Sequence, residues 1–135
     1  MGQIIDADYH DIVKSGLNAA LGFELDEAGP DKVVMSATIG PAHLQPYGIV
    51  HGGVYCAIIE ASASVGAASW FGERGKVVGA VNHTNFLRAI REGRIVATAS
   101  PIHRGRSQQL WLVEVVGPDE RVAARGEVRL QNLAG

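Results

Sequence analysis

Gln45-Pro46-Tyr47-Gly48-Ile49-Val50-His51-Gly52-Gly53 runs directly into the apolar segment Val54–Trp70, whose single charge is Glu60. The glycine pair opens a segment that reads as one long helix, from Gly52 or Gly53 to about Ser69. Backbone N–H groups at a helix start attract negative charge. A lone carboxylate, carried in the same helix into an apolar interior, is suited to work as a base or nucleophile. Ala57, Ile58, Ile59, Ala61, Ala63, Val65, Ala67 and Ala68 make the helix apolar or small on nearly every side. Such a helix has to be covered all round. A strongly curved antiparallel sheet wrapped about it is the economical cover.

The rest of the chain supplies that sheet. Upstream, Ile12, Val13, Leu17 and Ala20 have weak helical spacing, which predicts a short helix over residues 8–20 stopped by Gly22. Strands are expected at Phe23–Ala28 and Lys32–Ile39, around a Gly29-Pro30-Asp31 turn, and a loop spans Pro41–Val50. After a turn at Phe71–Lys76 the pattern is strands only: Val77–Ala89, Ile95–His103, Gln108–Val116 and Arg121–Leu130. Turn signals at Arg91-Glu92-Gly93-Arg94, Arg104–Ser107 and Gly117-Pro118-Asp119-Glu120 separate them, spaced as in an antiparallel meander. The class is α+β, one domain over residues 1–135, with no repeat or linker.

Composition narrows the function. A chain of 135 residues, 47% hydrophobic, can bury a real core. Its 12 Lys and Arg against 14 Asp and Glu give a net charge of -2, which predicts neither a nucleic-acid groove nor a membrane-surface patch. Val54–Phe71 approaches membrane-spanning length, but Glu60, the serines and the many alanines argue for a buried central helix. Met1–Lys14 holds Asp6, Asp8 and Asp11 without a long apolar run, unlike a signal peptide. The one cysteine, Cys56, forms no intrachain disulfide, is expected in the core, and makes the reducing cytoplasm the default location. His10, His43, His83 and His103 lack metal-ligand spacing, so no metal is expected.

The chain resembles the hotdog-fold acyl-CoA thioesterases, in the group of the phenylacetate-pathway, enterobactin-proofreading and dihydroxynaphthoyl-CoA enzymes. The resemblance covers roughly Phe23–Leu130. It is carried by Gln45-x5-His51-Gly52-Gly53-x6-Glu60-x3-Ser64, supported by Lys76-Val77-Val78-Gly79, Arg91-Glu92-Gly93-Arg94, Pro101-Ile102-His103-x-Gly105 and Gln109-x-Trp111. It implies that Glu60 is the general base or nucleophile and that the Gly52 N–H holds the thioester oxygen. His51 and Gln45 would orient that oxygen or the attacking water, and Ser64 would assist. The coenzyme A is part of a small-molecule substrate, and no further cofactor is implied.

Thioester hydrolysis needs an oxyanion donor and a group that attacks or delivers water. His51 and Glu60 are nine positions apart, roughly 13 Å along one helix. They cannot serve one carbonyl within one chain, which predicts a site shared between two antiparallel copies of the helix, in a homodimer or a dimer of dimers. Glu60 and Ser64 share a helix face. Arg88, Arg104 and the Gly105 N–H are candidates for the CoA phosphates, with Gly53, His103 and Arg106 beside them. Asn82, on the long strand, faces either the acyl pocket or the partner. Trp70, Trp111, Phe71 and Phe86 read as core. Two other readings remain at this point: a dehydratase of the same fold, and a non-catalytic acyl-CoA binding module. The first is disfavoured because its expected helix histidine is missing, the second because it has no need of Glu60.

Overall fold

The computed structural model describes residues 9–135. Six strands form one antiparallel sheet: β1 (Glu24–Glu27), β2 (Val33–Ile39), β3 (Gly75–Phe86), β4 (Gly93–Arg104), β5 (Gln108–Val116) and β6 (Val122–Ala134). Their order across the sheet is β1-β2-β4-β5-β6-β3. A short helix α1 (Gly16–Ala20) precedes them, and the long helix α2 (Gly52–Phe71) links β2 to β3. The helix packs against β2, β3, β4, β5 and β6, so the sheet wraps it as expected.

The core is the alternate-residue face of the strands against one side of α2. Met35 and Ala37 on β2, Ile95 and Ala97 on β4, Trp111 and Val113 on β5, and Val128 and Leu130 on β6 all point at Ile58, Ile59, Ala63 and Ala67. Period-2 strands meeting a small-residue helix allow close approach. At Gly66 a Cβ would come within 2.5 Å of the buried Trp111 ring, so only glycine lets that ring lie on the helix. One polar network crosses this core. Gln109 Nε2 donates to Ala67 O and to Asn132 Oδ1, and Gln109 Oε1 accepts from Trp111 Nε1.

Each end of α2 has a local cause. The His51 ring accepts the Gly53 N–H and caps the start. Gly72, at φ +61°, takes the left-handed turn that ends it. Arg74 then donates to the Phe71 and Trp70 carbonyls, a cation where the helix dipole is negative. By length and composition Gly52–Arg74 could cross a membrane, but 67% of its most apolar window is buried in this domain.

Three expectations are corrected. The strands do not form a simple meander. Only β4-β5-β6 run as one, while β3 crosses to pair with β6 along its whole length, Gly75 opposite Ala134 and Phe86 opposite Ala124. Arg91–Arg94 therefore closes no β3–β4 hairpin, because β4 pairs with β2. A turn motif fixes where the chain reverses, whereas the partner of a strand is set by non-local packing. The N-terminal helix is broken into a 3₁₀ turn (Asp11–Lys14) and α1, with extended Ser15 between them and Gly16, at φ +62°, opening α1; the predicted start at Asp8 lies outside the described residues. Finally, the sheet does not cover α2 all round. Gly53, Cys56, Ala57, Glu60, Ala61 and Ser64, spaced at helical intervals, form a stripe left open or half-open to solvent. Cys56 is thus half-buried on a cavity rim and not in the core.

Candidate active site

The loop before α2 is built to hold the helix entrance. Pro41–His43 makes a 3₁₀ turn, Leu44 bridges to Val50, and Gly48, at φ +80°, turns the chain between them. His43 is the buried anchor. Its Nδ1 accepts the Gly40 N–H, its Nε2 lies 2.6 Å from Leu21 O, and its carbonyl accepts the His51 N–H. Arg91 reaches the Tyr47 and Gly48 carbonyls from outside. Gln45 Oε1 accepts the Tyr47 N–H, so the end of Gln45 that remains for a ligand is its NH2 donor.

Both glycines of the pair lie in close approach to an aromatic ring. A Cβ on Gly52 would stand 2.7 Å from the Phe86 ring, and one on Gly53 would stand 2.9 Å from the His51 ring that caps it. Because His51 Nδ1 accepts from Gly53 at 2.7 Å, the neutral ring carries its proton on Nε2 and presents a donor. The Gly53 N–H is consumed by this cap. The Gly52 N–H finds no acceptor among the described residues. Gly52 and Gln45 open on one cavity of about 340 Å³, walled by Ile49, Tyr55 and Phe86 with Arg88 at its side. Phe86, expected in the core, is 56% exposed here. The Tyr55 hydroxyl is buried without a hydrogen-bond partner among the described residues, and burial pushes its pKa up.

Glu60 opens on a different cavity, of about 590 Å³, together with Ser64, Asn82, Cys56 and Ala61. Contrary to the expectation of a buried acid, its carboxylate stands on the open stripe of α2. Glycine and amide chemistry from the edge strand β3 hold it there. Asn82 Nδ2 donates to Cys56 O at 3.0 Å and lies 3.4 Å from Glu60 Oε1. Thr84 Oγ1 donates to Asn82 Oδ1 at 2.7 Å and fixes which way that amide points. Gly79 makes the space: a Cβ there would be 2.8 Å from Glu60 Oε2. Among the described residues no cation pairs with Glu60.

One chain therefore carries two separate half-sites, donors around Gly52 and a carboxylate at Glu60. The cavity lined by Gly52 does not include Glu60, and the cavity lined by Glu60 does not include Gly52. Arg88 joins the first half-site, and Asn82 with Gly53 joins the second. The turn after β4 joins neither. Arg104 is committed to Pro30 O and to an ion pair with Asp31 at 2.9 Å. The Gly105 N–H is spent on Gln108 O, and the Gly105 and Arg106 carbonyls accept from Asn132. His103 and Arg106 are exposed beside that turn. Sequence reasoning did not find Gly79 as the space for Glu60 or the cavity wall made by Ile12 and Leu17. The signal for Gly79 was a glycine breaking a β-branched strand; for Leu17 there was none.

A family model described as "Thioesterase superfamily" matches residues 47–124, which include Gly52, Glu60, Asn82 and Arg88 but not Gln45. A protein of Mycobacterium tuberculosis (strain H37Rv), provisionally named an esterase, is 50% identical over 119 residues, covering 86% of this chain and 85% of that one. A solved structure of the mycobacterial protein superposes with a TM-score of 0.86 at 49% identity, covering 87% of this chain and 96% of that chain. The 1,4-dihydroxy-2-naphthoyl-CoA hydrolase of Listeria monocytogenes is 32% identical over 107 residues, 79% of this chain and 87% of that one. A Staphylococcus aureus protein, 28% identical with a TM-score of 0.80 over 87% of this chain and 100% of that chain, has been solved as a glutamate-to-alanine variant. It has also been solved as a glutamine-to-alanine variant, and its two altered positions stand the same interval apart as Gln45 and Glu60. With the wrapped helix, the sheet order and the matched helix entrance, these likenesses decide the family: the chain belongs to the thioesterase superfamily, as a hydrolase of the hotdog fold.

Proposed function

We propose that this protein is a cytoplasmic acyl-CoA thioesterase that hydrolyses an acyl- or aroyl-CoA to the free acid and CoA, at sites shared between two copies of the chain. One observation carries the reading: the oxyanion donors and the carboxylate open on separate cavities, and the carboxylate stands beside the outermost strand β3, whose far edge is free. An edge of twelve residues, with Val78 and Val81 exposed, is a surface on which a second copy can pair. Pairing β3 with β3 of another copy brings Gly52 of one protomer toward Glu60 of the other.

In that arrangement the Gly52 N–H and the Gln45 NH2 stabilise the oxygen as the thioester carbonyl becomes tetrahedral. Removing one such donor costs about 10²–10³ in rate. Glu60 takes the proton of the attacking water, or itself adds to the carbonyl carbon to give an anhydride that water then opens. Either way the C–S bond breaks and CoA leaves as the thiol. The Asn82 and Ser64 side chains keep the carboxylate and the water in line. Arg88, which makes no ion pair among the described residues, is the cation best placed for the CoA phosphates.

The test is thiol release from short, medium and long aliphatic acyl-CoAs and from benzoyl-, hydroxybenzoyl- and dihydroxynaphthoyl-CoA, with the parent and Glu60→Gln compared. Turnover by the parent that falls by orders of magnitude in the variant is expected. Single turnover in ¹⁸O water separates the two routes, because only the anhydride route can label Glu60. A fully active monomer in sedimentation overturns the shared site, and binding without turnover overturns the activity.

A further inference from the structure

The Glu60 cavity has a second wall that does not come from the helix or the sheet. Ile12 and Leu17, on the segment Asp11–Ala20, line it opposite Ala57 and Ala61. That segment has two apolar faces. Val13, and Leu21 just beyond the segment, pack on the core, whereas Leu17 remains 62% exposed and lines the cavity. Gly16 at φ +62° lies within it and Gly22 at φ +67° just beyond it, and at both positions nothing lies within 4 Å of where a Cβ would stand. Glycine is needed there for backbone conformation and not for space. Its inner end is tied down by the Phe23 N–H on Asn18 O and by His43 on Leu21 O. On its other side the Asn18 amide donates to Ile12 O. A branched aliphatic pair facing a small-residue wall leaves a broad apolar slot beside the carboxylate.

We propose that Ile12 and Leu17 are specificity-determining residues, and that this wall selects acyl-CoAs with a bulky apolar acyl group over short ones. The inference rests on the reading that the Glu60 cavity receives the acyl thioester. An aromatic ring and a medium aliphatic chain share the required chemistry, and the substrates of the assay tell them apart. Acetyl is too small to reach the wall and draws no binding energy from it.

The experiment compares kcat and KM for acetyl-, octanoyl- and benzoyl-CoA in the parent, Leu17→Ser and Leu17→Met. Leu17 is largely solvent-exposed, so both variants keep the parent's Tm. In Leu17→Ser, kcat/KM falls roughly tenfold for the bulky substrates, mainly through KM, and stays unchanged for acetyl-CoA, as expected for lost apolar contacts in a substrate pocket. Leu17→Met restores most of it. The larger loss falls on octanoyl if the slot takes a chain and on benzoyl if it takes a ring. Equal effects on all three substrates, or none, overturn the wall while leaving the catalytic reading intact. A changed oligomeric state in sedimentation with unchanged selectivity also overturns it, since Leu17 would then serve the contact between copies. If the parent hydrolyses no thioester, the catalytic reading falls and the wall with it.

Discussion

Gly79→Ala is a sharp probe of how Glu60 is held. The new Cβ stands 2.8 Å from Glu60 Oε2, 3.2 Å from its Cδ and 3.7 Å from its Cγ. Ordinary contact begins near 3.4 Å, so the carboxylate has to retreat by about half an ångström or turn about its terminal torsion. It can do so cheaply, because it faces an open cavity. The move stretches an Asn82 contact that is already 3.4 Å long. A misplacement of this order at a reacting group costs about 10- to 100-fold in rate. The fold should be spared. Gly79 does not occupy the left-handed region, and replacing such a glycine by alanine stabilises by about 0.4–1 kcal/mol through the unfolded chain.

The expected signature is a separation of activity from stability: kcat on the best acyl-CoA down by one to two orders of magnitude, KM nearly constant, and Tm equal to the parent or slightly higher. The assays are continuous thiol release and thermal denaturation. Sedimentation at the assay concentration shows that the outer strand still supports the same assembly. An unchanged kcat refutes the reasoning, because the position of the Glu60 carboxylate would then not be set by the space at Gly79. A fall in kcat that merely tracks a fall in Tm refutes it as well.

The opposite signature is expected at Gly66, where an alanine Cβ would meet the fully buried Trp111 ring at 2.5–2.6 Å. The ring cannot swing away, so overpacking should cost about 1–3 kcal/mol in urea unfolding, with per-site activity kept at low temperature. Tyr55→Phe removes a buried hydroxyl that has no partner among the described residues and should be neutral or stabilising by about 1 kcal/mol. Burial raises the folded-state pKa of Tyr55, so its neutral form contributes stability below the ordinary tyrosine range that is lost as pH rises through the raised value. The phenylalanine variant should therefore lose less stability than the parent in unfolding measured above about pH 10.

Helix, strands and helix entrance could be read from the sequence because each leaves a local mark. Gly52 and Gly53 announce a helix start, and the structure gives the reason in Phe86 and the His51 ring. Alternation marks the strands β4, β5 and β6. What could not be read is pairing over distance. Nothing local in Val77–Ala89 shows that it lies against β6 at the far edge, and the Arg91–Arg94 turn points the wrong way. The same limit explains the misplaced Glu60. An apolar helix predicts burial on every side, yet only the sheet-facing side finds cover within one chain.

The open stripe on α2 is the link between fold and chemistry. A helix as apolar as this one gains nothing from leaving Ala57, Ala61 and Cys56 half-exposed. A carboxylate in the middle of that stripe explains the exposure only if something else completes the enclosure. Two candidates border it: the free edge of β3 beside Asn82, and the N-terminal segment carrying Leu17. They act on different parts of a thioester. In the proposed dimer, a second copy paired on β3 would supply the oxyanion donors that a single chain keeps about 12 Å away from its own carboxylate, and the segment carrying Leu17 would line the acyl group. On the two proposals, assembly would govern whether the enzyme turns over, and the N-terminal segment which thioester it turns over. Changes at the two borders should separate in kinetics, with loss of pairing lowering kcat for every substrate alike and loss of Leu17 sorting substrates by the size of the acyl group.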